Sequence, residues 1–231
     1  MAAIPTGWTA RLVTALLLVL AAVRADAFCP RPTPKLCAEY FESDAVFLAT
    51  VNAQTLVDDT ETRRFSLRVS KVFRGSVPST TFVYSGNDSG GVRWESGRQY
   101  IVFAKRRRDR LVTYDDCSPV SDPVNLTETV KDIDLLRLAS DSYVEGAVLD
   151  QQDGDRGLAG ISIVVRGDKG TSQVASGADG TFQWALPPGT YHVAIDQRVV
   201  IQSSYNSVDL DHLVLQPGQC AQVRLIAAEP R

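Results

Sequence analysis

Four cysteines, two histidines and a few acid and serine clusters are the residues of this 231-residue chain whose types and spacing could do chemistry. The cysteines are Cys29, Cys37, Cys117 and Cys220. None forms a Cys-x-x-Cys pair, so the spacing of a zinc ribbon or a thioredoxin-like site is missing. An even number suits two disulfides, and three connectivities are open. Asn87-Asp88-Ser89-Gly90-Gly91 has the look of a serine-protease nucleophile loop. That mechanism needs a histidine base beside the serine. His192 and His212 both lie far downstream, in another block of the chain, so Ser89 reads as part of a Gly-rich hairpin loop. Asp209, Asp211 and His212 could touch a metal at short spacing, but no second cluster completes a coordination sphere, and they read as solvated surface. His192 reads as outward-pointing on its strand. Asp58-Asp59 and Asp115-Asp116 fall in turns, where aspartate serves the backbone. Asn87 and Asn125 each open an Asn-x-Ser/Thr acceptor pattern. The expectation is a chain with no catalytic residue, no intrinsic metal site and no cofactor.

The N-terminus gives the cysteines their meaning. Arg11 supplies a positive charge, residues 12–23 are apolar, and Ala25-Asp26-Ala27 offers the small residues a signal peptidase reads. The apolar run is about twelve residues and a spanning helix needs roughly twenty, so residues 1–27 read as a cleavable signal peptide, not an anchor. The cut leaves Phe28 first and all four cysteines in the mature chain, where an oxidising compartment permits disulfides. The expected location is secreted, extracellular or periplasmic, with no later membrane span. The chain's 24 Lys and Arg stand against 27 Asp and Glu. Loss of residues 1–27 removes Arg11, Arg24 and Asp26 and leaves it more acidic. That balance argues against nucleic acid or an anionic membrane as partner. The one basic cluster, Lys105-Arg106-Arg107-Arg108-Asp109-Arg110, lies between two apolar strands and reads as a hairpin tip; its alternative is a docking patch for an acidic partner.

Short strands must position all of these. In residues 28–140, alternation or apolar runs mark strands at 45–51, 64–73, 80–84, 99–104 and 110–114, after a proline-pinned start at Pro30, Pro32 and Pro34 and a helical turn at 35–42. A helix follows, capped by Asn125 or Thr127, with a stripe of Val130, Ile133, Leu136 and Leu138. Residues 143–228 then hold about seven strands, among them 145–150, 158–165, 181–184, 190–196, 208–215 and 222–226. The expected fold class is mostly β: a five-stranded barrel with a flanking helix, then a seven-stranded sandwich.

The order Gly146-x-Val148-x-Asp150, Leu158-x-Gly160-Ile161-x-Ile163, Asp179-Gly180-x-Phe182 and Leu186-Pro187-Pro188-Gly189-x-Tyr191 resembles the carboxypeptidase-regulatory-like, or transthyretin-like (prealbumin-like), β-sandwich. The resemblance implies a spacer, scaffold or binding platform. Related collagen-adhesin repeats carry a Lys–Asn crosslink from the first strand; residues 143–150 contain no lysine, so none is expected.

Cys29-Pro30, Cys37, Ser43-Asp44-Ala45-Val46-Phe47-x-Ala49-x-Val51, Phe65-x-Leu67-x-Val69-x-Lys71-Val72-Phe73-x-Gly75, Gly97-x-x-Tyr100-Ile101-Val102-Phe103 and Cys117 together resemble the netrin-like module, the OB-type barrel shared with the tissue inhibitors of metalloproteinases. In those inhibitors an N-terminal cysteine presents its amine and carbonyl to the target's zinc, and an open zinc position accepts such ligands. The resemblance implies Phe28, Cys29 and Pro30 as the partner-binding residues, with Cys29 as ligand to a protease zinc. On residue type alone Cys29 is a half-cystine. The resemblance further implies a Cys37–Cys117 disulfide, leaving Cys29 for Cys220. The reading is therefore a secreted, non-enzymatic binding protein, in the form of a metalloprotease-inhibitor-like module docking a protein partner. The alternative is an extracellular or cell-envelope scaffold or adhesion module without inhibitory activity, and a small hydrolase ranks last.

Overall fold

The computed structural model describes residues 35–57, 61–87, 90–113, 125–168, 170–195, 199–204 and 209–227. The signal segment, Phe28, Cys29, Pro30, Asp58-Asp59, Ser89, Asp115-Asp116 and Cys117 lie outside the described residues. The chain is mostly β, as its alternation predicts.

Five strands close a barrel: β1 (Ala45–Val57), β2 (Thr62–Arg74), β3 (Thr80–Gly86), β4 (Gln99–Arg107) and β5 (Arg110–Val112). Their order around it is β1-β2-β3-β5-β4, with β3 and β5 parallel and the other pairs antiparallel. This is an OB-type barrel. Period-two alternation turns Phe47, Ala49 and Val51 of β1, Phe65 and Leu67 of β2, and Val83 of β3 into the interior. The connection between β3 and β4 closes the interior with Val92 and Trp94, both buried. The Trp94 ring lies 4.9 Å from that of Phe65 and stacks at 5.4 Å on Tyr100. Gly75 ends β2 at φ 76°, and a Cβ there would lie 2.3 Å from the Asp44 carbonyl oxygen, so the turn requires glycine.

Two helices cover one side of the barrel. In α1 (Leu36–Glu42) the buried side chains are Cys37, Ala38 and Tyr40, and the Tyr40 hydroxyl donates to the Phe73 carbonyl at 3.1 Å. In α2 (Leu126–Leu136) Ile133 is buried, with Val130 and Leu136 beside it. Both pack on the outward side chains Val46, Phe73 and Ile101. Two details differ from the sequence expectation. Asn125 stands at the N-cap without a side-chain cap bond, and Leu138, past the end of α2, is 83% exposed and outside the stripe.

Two four-stranded sheets form the sandwich. One runs β12-β10-β7-β8 and the other β11-β13-β6-β9. The strands are β6 (Ser142–Asp150), β7 (Ser162–Gly167), β8 (Gly170–Ala175), β9 (Thr181–Leu186), β10 (Gly189–Ile195), β11 (Val199–Ser204), β12 (Leu213–Leu215) and β13 (Cys220–Ala227). That makes eight described strands. The addition over the sequence count includes β8, an edge strand whose exposed, polar residues give no alternation to read. Val144, Val148, Ile163, Val193, Val223 and Leu225 are fully buried between the sheets. Gly180 turns into β9 at φ 80°, where a Cβ would meet the Val148 carbonyl oxygen at 2.6 Å.

Candidate functional site

Barrel and sandwich meet along a seam built from α1, β6 and β13. Cys37 of α1 and Cys220, the first residue of β13, form a disulfide with a Cα–Cα distance of 5.5 Å and a sequence separation of 183. Beside it, the Lys35 backbone N–H donates to Gln222 Oε1 at 2.8 Å. The Lys35 ammonium pairs with Glu145 Oε2, and Gln222 Nε2 donates to Glu145 Oε1 at 3.0 Å. Gln222 is fully buried and Glu145 nearly so, which is why the carboxylate carries both a cation and an amide donor. The Tyr143 hydroxyl lies 3.3 Å from Cys37 Sγ. Burial raises the Tyr143 phenol above its ordinary value; the Glu145 charge adds to this and Lys35 opposes it. Behind α1, the turn before β13 abuts the end of α2. A Cβ at Gly218 would come within 2.7 Å of the Leu136 carbonyl oxygen.

The Cys37–Cys220 bond overturns the pairing implied by the netrin-like resemblance. Cys37 is spent on the sandwich, so neither a Cys37–Cys117 nor a Cys29–Cys220 bridge forms. The reason is positional. The buried face of α1 carries Cys37 directly against the start of β13, and Cys220 has no exposure to solvent. Among the described residues no cysteine is free.

Among the described residues, the outer face of β2, β3 and β5 is cationic. Phe65 and Leu67 point inward, so Arg64 and Arg68 point out; Val83 points inward, so Phe82 and Tyr84 point out. Cross-strand register sets Arg64 opposite Tyr84, and Tyr84 opposite Val112, next to Arg110. The Arg64 guanidinium lies 5.0 Å from the Phe82 ring centre and that of Arg110 lies 4.8 Å from the Tyr84 ring centre. Such contacts hold a guanidinium in place while leaving its donors open to an anion. Phe82 remains 48% exposed.

The remaining sequence candidates separate. In the basic cluster, Lys105, Arg106, Arg107 and Arg110 sit in strands, and only Arg108 and Asp109 form the turn, with Arg108 at φ 55°. The cluster is thus the end of a hairpin whose strands run further than their apolar parts. Asp209 Oδ1 accepts from the backbone N–H groups of Asp211 at 2.9 Å and His212 at 3.2 Å, which is turn chemistry. His192 is partly exposed, with Nε2 3.3 Å from Asp211 Oδ1. No group of three or more His, Cys, Asp or Glu positioned to hold a metal occurs among the described residues. Lys35, Glu145 and Gln222 were not singled out in the sequence. One signal was there: Glu145 is the lone acid within an otherwise apolar strand start, Tyr143-Val144-Glu145-Gly146-Ala147-Val148.

No known protein family and no curated protein matches the chain. Solved structures similar to parts of it include the Bacillus anthracis TIE protein, at 13% identity and a TM-score of 0.31 over 81% of this chain and 34% of that one. Another is the C-terminal fragment of pilus adhesin SpaC from Lactobacillus rhamnosus GG, at 10% identity and 0.29 over 88% and 95%. A third is BcpA, the major pilin subunit of Bacillus cereus, at 11% identity and 0.27 over 83% and 62%. The chain spans about a third of the length of the TIE protein. Likenesses this distant bear on none of the site residues. No helix among the described residues is long and apolar enough to cross a membrane.

Proposed function

We propose that this chain is an exported, non-catalytic scaffold or adhesion module, in which the sandwich holds the barrel at a fixed orientation for presentation. The observation that carries this reading is the seam. A buried disulfide, a buried carboxylate with two partners and an amide bridging to a backbone N–H converge on one short helix. An arrangement of this kind forms where thiols are oxidised, and it suppresses relative motion of the two bodies. The test is cell fractionation of the native host with N-terminal sequencing, together with titration of the purified protein against a metalloprotease panel. The scaffold reading expects an exported protein, cut near Ala27, that leaves every protease active. Recovery from the cytoplasm, or inhibition at micromolar concentration, overturns it.

A second reading keeps the barrel as an inhibitor-like module of netrin type. The closed five-stranded order of the barrel favours it. In that reading Cys29 reaches the target's zinc through its amine and carbonyl, with Phe28 and Pro30 in the contact. It requires a mature chain beginning at Cys29, and a start at Phe28 counts against it.

A further inference from the structure

The seam bond joins two cysteines that are not neighbours in the order of the chain. Cys37 pairs with Cys220 at a separation of 183 residues, and Cys117 lies between them. Cys29 lies about eight residues before Cys37, and Cys117 about eighty after it. A chain folds N-terminal part first as it is made, at about 5–20 residues per second. Cys220 therefore follows Cys117 by roughly 5–20 s, and thiol oxidation begins on that timescale. Chain entropy favours the same early partners. In an unfolded chain the chance of contact falls as about the 3/2 power of loop length. Cys117 then meets Cys37 about three times as often as Cys220 does, and Cys29 about a hundred times as often.

The fold gives Cys37 little shelter at that stage. Cys220, Tyr143 and Leu136 pack against Cys37 and Ala38, and of these only Leu136, in α2, precedes the sandwich. Until β6 and β13 form, Cys37 lacks two of these three neighbours. In the finished protein the position is reversed, with Cys220 at 0% and Cys37 at 8% exposure. Exchange requires a thiolate to touch a disulfide sulfur. A bond made early by Cys37 is thus open to attack, whereas the seam bond is shielded from it.

We infer that this chain matures with a thiol–disulfide isomerase as partner: Cys37 pairs first with Cys29 or Cys117 and is then transferred to Cys220. The transfer is redox-neutral. The isomerase thiolate attacks Cys37 Sγ, the early S–S bond breaks, and its other cysteine leaves as a thiolate. The Cys220 thiolate then attacks Cys37 Sγ and expels the isomerase thiolate, so one disulfide has replaced another and the catalyst is regenerated. The first bond, and the later bond between Cys29 and Cys117, each need a disulfide donor of the export compartment, which takes up two electrons and two protons. Burial of the product makes the transfer one-way. The inference rests on export into an oxidising compartment and not on what the barrel presents.

The experiment is refolding of the reduced, denatured mature chain in oxidised glutathione alone or with a purified disulfide isomerase added. Non-reducing peptide mapping follows the partner of Cys37 over time. With glutathione alone, Cys37 is expected mainly in peptides shared with Cys29 or Cys117. The isomerase is expected to raise the yield of Cys37–Cys220 at least about fivefold. A variant with Cys29→Ser and Cys117→Ser has no competing partner and is expected to reach one yield with and without the isomerase. Equal wild-type yields in the two conditions, early peptides that already link Cys37 to Cys220, or a variant that still needs the isomerase overturns the inference. The wild-type comparison decides whether or not the variant folds. Recovery of the native protein from the cytoplasm sinks the export reading, whereas an exported chain whose seam bond forms unaided sinks this inference alone.

Discussion

Replacing Cys37 and Cys220 together by alanine removes the covalent part of the seam together with two buried sulfur atoms. The bond closes a loop across a separation of 183 residues. Closing a loop of that length takes about 5 kcal/mol of entropy from the unfolded chain, and measured losses for native disulfides run from about 2 to 5 kcal/mol. A second disulfide between the other two cysteines would shorten the closed path to roughly 110 residues and lower the figure by only about half a kcal/mol, because the dependence is logarithmic. The non-covalent remainder of the seam is weak by comparison. The Lys35 side chain is 52% exposed, so its pairing with Glu145 is worth about 1 kcal/mol after solvent screening. The variant is therefore expected to lose about 3–5 kcal/mol and to stop unfolding as one unit. Urea unfolding followed by tryptophan fluorescence reads both effects, because Trp94 is buried in the barrel and Trp184 packs against the sandwich core. Trp184→Phe leaves the barrel as reporter, and Trp94→Phe leaves the sandwich. In the disulfide-bonded chain the two reporters are expected to share one midpoint, and in the alanine variant to part. A loss under about 1 kcal/mol with coincident midpoints would refute the reasoning that the disulfide couples the two bodies.

Three further outcomes can be checked. The Asp150 carboxyl is held below its ordinary value of 3.8, first by the backbone N–H of Gln152 and then by the Arg156 side chain. A carboxyl depressed in the folded state contributes stability that is present above the ordinary value and lost as pH falls through the depressed one. Asp150→Asn should thus lower stability at neutral pH and flatten the acid-unfolding curve below about pH 4, as read by circular dichroism. Gly180→Ala forces a left-handed backbone and a clash with the Val148 carbonyl, and should cost about 1–3 kcal/mol in a urea titration; no measurable loss would mean that the turn rearranges freely. Non-reducing peptide mapping should find Cys37 linked to Cys220 and, as the two cysteines that remain, Cys29 linked to Cys117. A Cys37–Cys117 peptide would contradict the seam.

Strand existence was legible wherever one face is buried and the other wet. The alternation Phe65-x-Leu67-x-Val69 marks inside and outside, whereas Phe82-Val83-Tyr84, apolar throughout, marks a strand without marking its faces. Gly75 and Asp179-Gly180 mark turns, where positive φ and close backbone approach both call for glycine. What stayed hidden has physical causes. Val92 and Trp94 lie in an irregular segment, so no periodicity announces that they plug the barrel. Lys105 to Arg107 continue β4 past the core, where burial no longer selects side-chain type. β8 is exposed except at Val174, so a single apolar contact gives no alternation to read. The seam is the hardest part to read, because Lys35, Glu145 and Gln222 become neighbours only when three distant segments meet. A buried glutamate looks like any other until its partners are known.

The corrected disulfide also changes what α1 is for. Had Cys37 joined Cys117, the helix would have stayed a lid on the barrel alone. Bonded to Cys220, it belongs to both cores at once. Tyr40 packs with Val46 and Phe73 on the barrel side, and Cys37 and Ala38 pack with Cys220 on the sandwich side. A helix of seven residues has no independent stability in water and carries no side-chain cap here. It persists because it is held from two directions, so any loosening of one body is felt by the other. That coupling fixes which barrel face the helices cover, and Arg64, Phe82, Tyr84 and Arg110 lie on a different one. On the proposed scaffold reading, the helix shared by two cores is what gives the barrel a fixed orientation.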